Sequence, residues 1–301
     1  MAAAVLVVVA GCASSSTAGP STSTTIASTS TTAPLETGSV ELGPADRPAQ
    51  LVAPGDVTAP APLLVLLHGY GSKAQQQDAY LGVTEQAASR GLYVLLPEGT
   101  TAPRTGRQFW DATSACCNFT GTPVDDVGYV RDLIDEAVAT RPIDPARIYL
   151  FGHSNGGFMA YRLACDLAGQ VTAVAVLAGA DAPASDDCLP SQPVSVLHLH
   201  GSADELVKYE GGRFADVYPG AVESVTRWAA RDGCEPTPVS TSPLDLEGGI
   251  DGAETVVSAY TGCEAGTDVQ LDTIEGAGHI PRLIHDSVGR FVLDWLLAHA
   301  R

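Results

Sequence analysis

The stretch "RIYLFGHSNGG", residues 147–157, joins an apolar run to a serine enclosed by glycines, and a helix-forming segment follows at once. A continuous apolar run suits a strand covered on both faces, as in the middle of a parallel sheet. The same kind of run recurs in "PLLVLLHG" (62–69), "LYVLLPEG" (92–99), "VTAVAVLAGA" (171–180) and "PVSVLHLHG" (193–201). Helical spacing fills the gaps: 76–91, 124–140, 155–168, 218–233 and a closing helix over 282–300. Segments 254–262 and 268–276 read as two further strands. Strands alternating with helices of this length imply an α/β fold, a mostly parallel central sheet with helices on both faces. At 301 residues the chain is long enough for a large buried core.

The first residues read as processing rather than fold. "AAAVLVVVAGC" is a short apolar run that ends in Val9-Ala10-Gly11-Cys12. Small residues before a cysteine have the form of a lipobox, so residues 1–12 are expected to be a lipoprotein signal with Cys12 as the lipidated end. Residues 13–37 are rich in Ser, Thr, Ala and Pro and cannot bury enough apolar surface to offset ordering. They read as a tether, leaving 38–301 as the globular domain. A formal net charge of −19 repels phosphate backbones and excludes nucleic acid as a partner.

In an open parallel sheet, ligands sit beyond the carboxyl ends of the strands. Ser154 stands at such an end, inside Gly152-His153-Ser154-Asn155-Gly156, a G-x-S-x-G pattern between strand and helix. This is the arrangement of a nucleophile elbow, in which a strained backbone lifts the serine Oγ and glycines relieve the crowding around it. A serine needs a base, and the partners are expected in the order serine, acid, histidine. His279, in the glycine-rich loop "EGAGHIP", fits better than His285 or His299 in the closing helix. Asp204, in the loop after "SVLHLHG", is the acid; Asp181 is its competitor, and the adjacent Glu205 would point elsewhere. The backbone N–H groups of Asn155 and of Tyr70, with Gly71 as the alternative to Tyr70, would form an oxyanion hole. His68 reads as a loop-orienting residue. His153 either lines the pocket or only packs, and His198 and His200 read as satisfied core histidines. Such chemistry asks for no metal or organic cofactor, and the Cys and His spacing does not suit zinc.

Six ordered motifs now carry a resemblance: "HGYGS", "FWDATSACCNF", "VDDVGYVRDLID", "GHSNGGFMAYRLAC", "LHLHGSADELVKYEGG" and "IEGAGHIP". Over about residues 38–300 the chain resembles the secreted polyhydroxybutyrate depolymerase-like and feruloyl-esterase-like α/β-hydrolases, lipoprotein esterases among them. The resemblance implies a serine esterase with Ser154, Asp204 and His279 as its triad and an ester substrate. The expected chain is a monomer with no nucleic-acid partner that reaches a membrane only through the lipid anchor. It also implies that Trp110 borders an acyl or aromatic pocket; the residue could equally cap the core. Many relatives carry a tryptophan where this chain has Ile280-Pro281, so an aromatic wall is lost there. A binding protein on an inactive hydrolase scaffold and a peptidase on the same fold are the alternatives.

The sheet reading puts Cys165 and Cys188 at the end away from the chemistry, where they could pair. The resemblance implies a second pair, Cys234 with Cys263. Cys116 and Cys117, neighbours beside Trp110, are either a vicinal disulfide or two free thiols. Disulfides suit an exported chain.

Overall fold

The computed structural model describes residues 38–301, with the exception of 56, 58, 285 and 286. The proposed signal, Cys12 and the tether therefore lie outside the described residues, as does His285. A hairpin, β1 (Ser39–Leu42) and β2 (Ala49–Val52), leads into β3 (Ala61–Leu67). Helices α1 (Ala74–Leu81) and α2 (Val83–Ala88) precede β4 (Tyr93–Leu96). The two-residue strands β5 (Thr100–Thr101) and β6 (Gln108–Phe109) pair with each other, and α3 (Asp126–Thr140) follows. Then come β7 (Ile143–His153), α4 (Asn155–Asp166), β8 (Ala173–Leu177) and β9 (Ser195–Gly201). A small hairpin, β10 (Gly211–Arg213) and β11 (Val217–Pro219), precedes α5 (Ala221–Arg231). The chain closes with β12 (Val239–Ser240), β13 (Thr255–Tyr260), β14 (Val269–Ile274) and α6 (Ser287–Leu297).

Ten strands form one sheet in the order β1-β2-β4-β3-β7-β8-β9-β14-β13-β12. The middle six, β4 to β14, are parallel; the strands at either margin are antiparallel. The apolar runs explain the middle: β3, β4, β8 and β9 are buried at every position. Each face of the sheet has its own core. Leu63, Val65, Leu150, Val174 and Val196 point to one, with Phe158, Met159 and Trp228 from the helices above them. Leu64, Leu66, Phe151, Ala175 and Leu199 point to the other, beneath Val292, Leu293 and Leu296 of α6. This is the alternation that a pleated strand imposes.

The margins depart from the sequence reading. β1, β2 and β12 are short and partly exposed, so they carry no apolar run to find. The single helix expected over 76–91 is two, because Gly82 adopts φ 63° and ends α1. Asp78 then serves both helices: its carbonyl accepts from Gly82 N–H at 2.7 Å and its side chain from Thr84 N–H at 2.8 Å. α6 uses the break, since a Cβ on Gly289 would stand 2.7 Å from the Leu81 carbonyl oxygen. Cys165 is bonded to Cys188, Cys234 to Cys263, and Cys116 to Cys117.

Candidate active site

β7 delivers Ser154 to the sheet edge, and the backbone there is strained: φ is 55° and ψ is −123°. A non-glycine residue with positive φ persists only where its surroundings hold it. Here Ser154 N–H donates to the Leu177 carbonyl at 2.8 Å, while Ser154 O accepts from Gly157 and Phe158. The two glycines of the pattern are required by space. A Cβ on Gly152 would lie 2.8 Å from Gly157 N, and one on Gly156 would lie 2.6 Å from the Leu67 carbonyl carbon. α4 starts at Asn155, so its unpaired N–H groups and positive end face the region above Ser154.

β9 and β14 supply the other two groups. His279 Nε2 is 2.9 Å from Ser154 Oγ, and His279 Nδ1 is 2.7 Å from Asp204 Oδ2. A carboxylate oxygen accepts, so Nδ1 carries the hydrogen and Nε2 is left bare to accept from the serine hydroxyl. Asp204 Oδ1 accepts from the N–H groups of Leu206 and Val207 at 2.8 and 2.9 Å. Burial of Asp204 works to raise its pKa. The hydrogen bonds from His200, His279 and the loop N–H groups outweigh it and hold the carboxyl well below the usual carboxylate range. Asp181, the competing acid, is engaged elsewhere, accepting from Arg231 at 2.8 Å and Trp228 Nε1 at 3.2 Å.

The wall opposite α4 is built from the loops after β3 and β6. His68 is wholly buried; its Nε2 accepts from Gly99 N–H at 2.8 Å and its Nδ1–H donates to the Gly69 carbonyl at 2.8 Å. Burial, the largest influence, lowers its pKa to about 4, which keeps the ring neutral. Trp110 Nε1 donates to the His68 carbonyl at 2.9 Å. Asn155 closes the frame: its side chain accepts from Trp110 N–H at 2.7 Å and donates to Trp110 O at 3.0 Å. Trp110 is therefore a girder. It is 0% exposed and offers a substrate no surface, so of its two readings the core cap is the observed one and the pocket-lining role is corrected.

His153 is also buried, and it packs rather than lines a cavity. Its Nε2–H donates to the His279 carbonyl at 3.2 Å and its ring lies 5.3 Å from that of His279. Burial first, and the nearby His279 second, lower its pKa to about 4. His299 binds the Trp295 carbonyl and Asp268, away from the serine. The sequence reading did not foresee that His200 reaches the triad acid, 3.3 Å from Asp204 Oδ2. The available signal was its place, one strand end and four residues before Asp204.

A serine on a strained strand-to-helix turn, hydrogen-bonded to a histidine that is in turn hydrogen-bonded to a buried carboxylate, in chain order Ser–Asp–His, is the arrangement of an α/β-hydrolase. By a family model matched over residues 50–226, the chain belongs to the phospholipase/carboxylesterase family. Feruloyl esterase B of Piromyces equi is 31% identical over 228 residues, 73% of this chain and 39% of that protein. The bifunctional acetylxylan esterase/xylanase XynS20E of Neocallimastix patriciarum is 25% identical over 83% of this chain and 34% of its own length. The chain thus spans about two fifths or less of these two relatives. Acetyl xylan esterase from Aspergillus awamori has a similar fold, with a TM-score of 0.60 at 16% identity over 86% of this chain and 98% of that one.

Proposed function

We propose that the chain is a serine hydrolase of carboxylic esters acting through an acyl-enzyme. The observation that carries this reading is the hydrogen-bonded chain Asp204–His279–Ser154, 2.7 and 2.9 Å per link, at a strained turn that opens a helix. In the proposed reaction His279 Nε2 takes the Ser154 proton as Oγ bonds to the ester carbonyl carbon. The N–H groups of Asn155 and Tyr70 hold the oxyanion, each worth about 3–4 kcal/mol. Collapse breaks the bond to the alcohol, which leaves with the proton from His279. Water then gives a proton to His279 as its oxygen bonds to the acyl carbon; collapse breaks the bond from that carbon to Ser154 Oγ, frees the acid and returns the proton from His279 to Oγ.

The rim favours an apolar or aromatic ester. The Tyr70 and Phe119 rings meet edge to face at 5.6 Å, and Phe119 is 53% exposed. Exposed Ile280 directly follows His279, and exposed Leu206 lies two residues after Asp204. Feruloyl and acetyl esters, the substrates in the relatives' names, and polyesters are the proposed classes. The reading includes export, which three disulfides support. Anchoring through Cys12 is part of the same proposal, and mass spectrometry of the mature N-terminus tests it.

The testing experiment compares the parent with Ser154→Ala on p-nitrophenyl acyl esters, methyl ferulate and polyhydroxybutyrate film. Ser154→Ala is expected to abolish turnover and fluorophosphonate labelling together. Turnover that survives the substitution refutes the mechanism.

A further inference from the structure

Behind Asp204 stands a file of three buried side chains that the reaction above leaves idle. Tyr161 Oη is 2.7 Å from His198 Nδ1, and His198 Nε2 is 3.0 Å from His200 Nδ1. His200 Nε2 is 2.8 Å from the Val207 carbonyl and 3.3 Å from Asp204 Oδ2. All three residues are at most 1% exposed. The two ends fix the direction of every bond. A carbonyl and a carboxylate only accept, so His200 Nε2 carries a hydrogen. Burial leaves His198 with a single N–H; the Tyr161 hydroxyl donates to its Nδ1, so that hydrogen is on Nε2 and His200 Nδ1 accepts it. Burial supports the assignments at Tyr161 and His198: it pushes the Tyr161 phenol pKa up and the His198 pKa down, so the phenol keeps its proton and the His198 imidazole stays neutral. Reversing any one bond would set lone pair against lone pair in the core, where an unmade hydrogen bond costs most.

The geometry points to His200 as a positioning residue: its Nε2–H, locked by His198 and Tyr161, holds Asp204 Oδ2 in register with His279 and takes up part of the charge that this oxygen presents to the imidazole. This assignment rests on the proposed Ser154–His279–Asp204 hydrolysis. His279 Nδ1–H donates to Oδ2, and the His200 N–H, which donates to the Val207 carbonyl, turns its positive edge to the same oxygen at 3.3 Å. With the His200 donor gone, the oxygen presents more negative charge to His279, and the imidazolium keeps its proton to higher pH. Other titratable groups face the cluster. The His153 ring is 5.3 Å from His279, and the Tyr209 ring is edge-on to His200 at 5.6 Å. The Tyr218 hydroxyl accepts from Lys208 N–H, and Glu205, Lys208 and Glu210 lie exposed on the Asp204 loop. The Asp181–Arg231 pair, 2.8 Å apart, stands beyond Tyr161. The substitutions below leave all of these in place.

The test is the pH profile of kcat/KM for p-nitrophenyl acetate in the full chain, in His200→Leu and in His200→Gln. Leucine has no donor, whereas glutamine carries an amide N–H near the place of Nε2. In His200→Leu the acid limb is expected to move to higher pH by on the order of half a unit, with a plateau about tenfold lower. His200→Gln is expected to restore the limb. An unmoved limb, whether the loss is uniform or absent, overturns the proposal. A second measurement needs no variant: ¹⁵N imidazole spectra of the parent should show His198 and His200 both as Nε2–H tautomers, and an Nδ1–H form at either overturns the proposal. Turnover by the Ser154→Ala protein sinks the underlying reading instead, and the tautomer spectra stand apart from it.

Discussion

A methyl group on Gly156 is a severe small change to this site. The added Cβ would stand 2.6 Å from the Leu67 carbonyl carbon and 2.8 Å from the His68 oxygen. The Leu67 carbonyl oxygen would be closer still, and ordinary contact begins near 3.4 Å, so α4 and the end of β3 must part by more than about 0.8 Å. Neither side yields as a flexible side chain would, because both are backbone. Overpacking of this kind costs about 1–3 kcal/mol, a fall in Tm of about 2–10 °C. The catalytic loss should be larger than the stability loss. The two segments pushed apart carry Asn155 and Tyr70, whose N–H groups must converge on one oxyanion in the proposed reaction, and Ser154 sits two residues from the new methyl. A misplacement of about 1 Å costs about 10²-fold in rate, and loss of one oxyanion donor costs about 10²–10³-fold. Gly156→Ala is therefore expected to lose at least about 100-fold, in kcat more than in KM, since these groups act on the transition state. Spectrophotometric release of p-nitrophenol and thermal unfolding by circular dichroism give both numbers. Gly278→Ala, where a Cβ meets nothing within 4 Å, is the control and should match the parent. A Gly156→Ala protein with the parent's Tm and a kcat within threefold would refute the close-packing argument.

Two further outcomes concern stability. Asp272 is wholly buried, with Gln270 Nε2 at 2.8 Å from one oxygen and no partner among the described residues for the other. Burial pushes its pKa from 3.8 up to about 7, so the folded protein holds a proton that the unfolded chain releases, and stability falls as pH rises through that window. The deficit at pH 8 is about 4 kcal/mol. Asp272→Asn does not titrate, so its Tm relative to the parent should climb between pH 5 and pH 8; a gap independent of pH would contradict this. The Cys234–Cys263 bridge closes a separation of 29 residues, which the loop-entropy model values at about 3–4 kcal/mol. Replacing both cysteines by serine should lower the urea midpoint accordingly and leave kcat unchanged; an unshifted midpoint would show that the bridge does not constrain the unfolded chain.

The middle of the fold was legible because burial on both faces leaves no polar alternation, so β3, β4, β7, β8 and β9 announce themselves as apolar runs. The marginal strands were not, since a four-residue strand such as Ser39–Leu42, half exposed, has no pattern longer than chance. Gly82 falls inside the helix that the spacing predicts over 76–91; only the positive φ and the approach of Gly289 reveal it as a break. Ser154, Asp204 and His279 were legible through chain order and strand ends. Trp110 was not, because an aromatic residue beside a reactive loop reads alike as wall or girder until its indole N–H finds the His68 carbonyl. His200 was passed over for a related reason: an imidazole inside an apolar strand looks inert, and its partner across the turn is invisible in one dimension.

The glycines give the site one construction principle, used twice. At the serine, a Cβ at Gly156 would run into the Leu67 and His68 carbonyls, so β3 and α4 meet backbone to backbone. At the base, a Cβ on Gly201 would lie 2.7 Å from both the Ala277 carbonyl carbon and the Gly278 oxygen, so the end of β9 meets the His279 loop in the same manner. Ala203 N–H then donates to the Ala277 carbonyl at 2.9 Å and ties the acid loop to the base loop. Main-chain contact fixes separations that side-chain packing would leave adjustable, because backbone atoms have no rotamers to exchange. Three side chains from distant parts of the sequence are thereby held at 2.7 and 2.9 Å spacing by contacts that tolerate no larger residue. A glycine beneath each junction is thus a geometric condition for the triad, which is why "GHSNGG" and "LHLHGSAD" carry their glycines where the strands end.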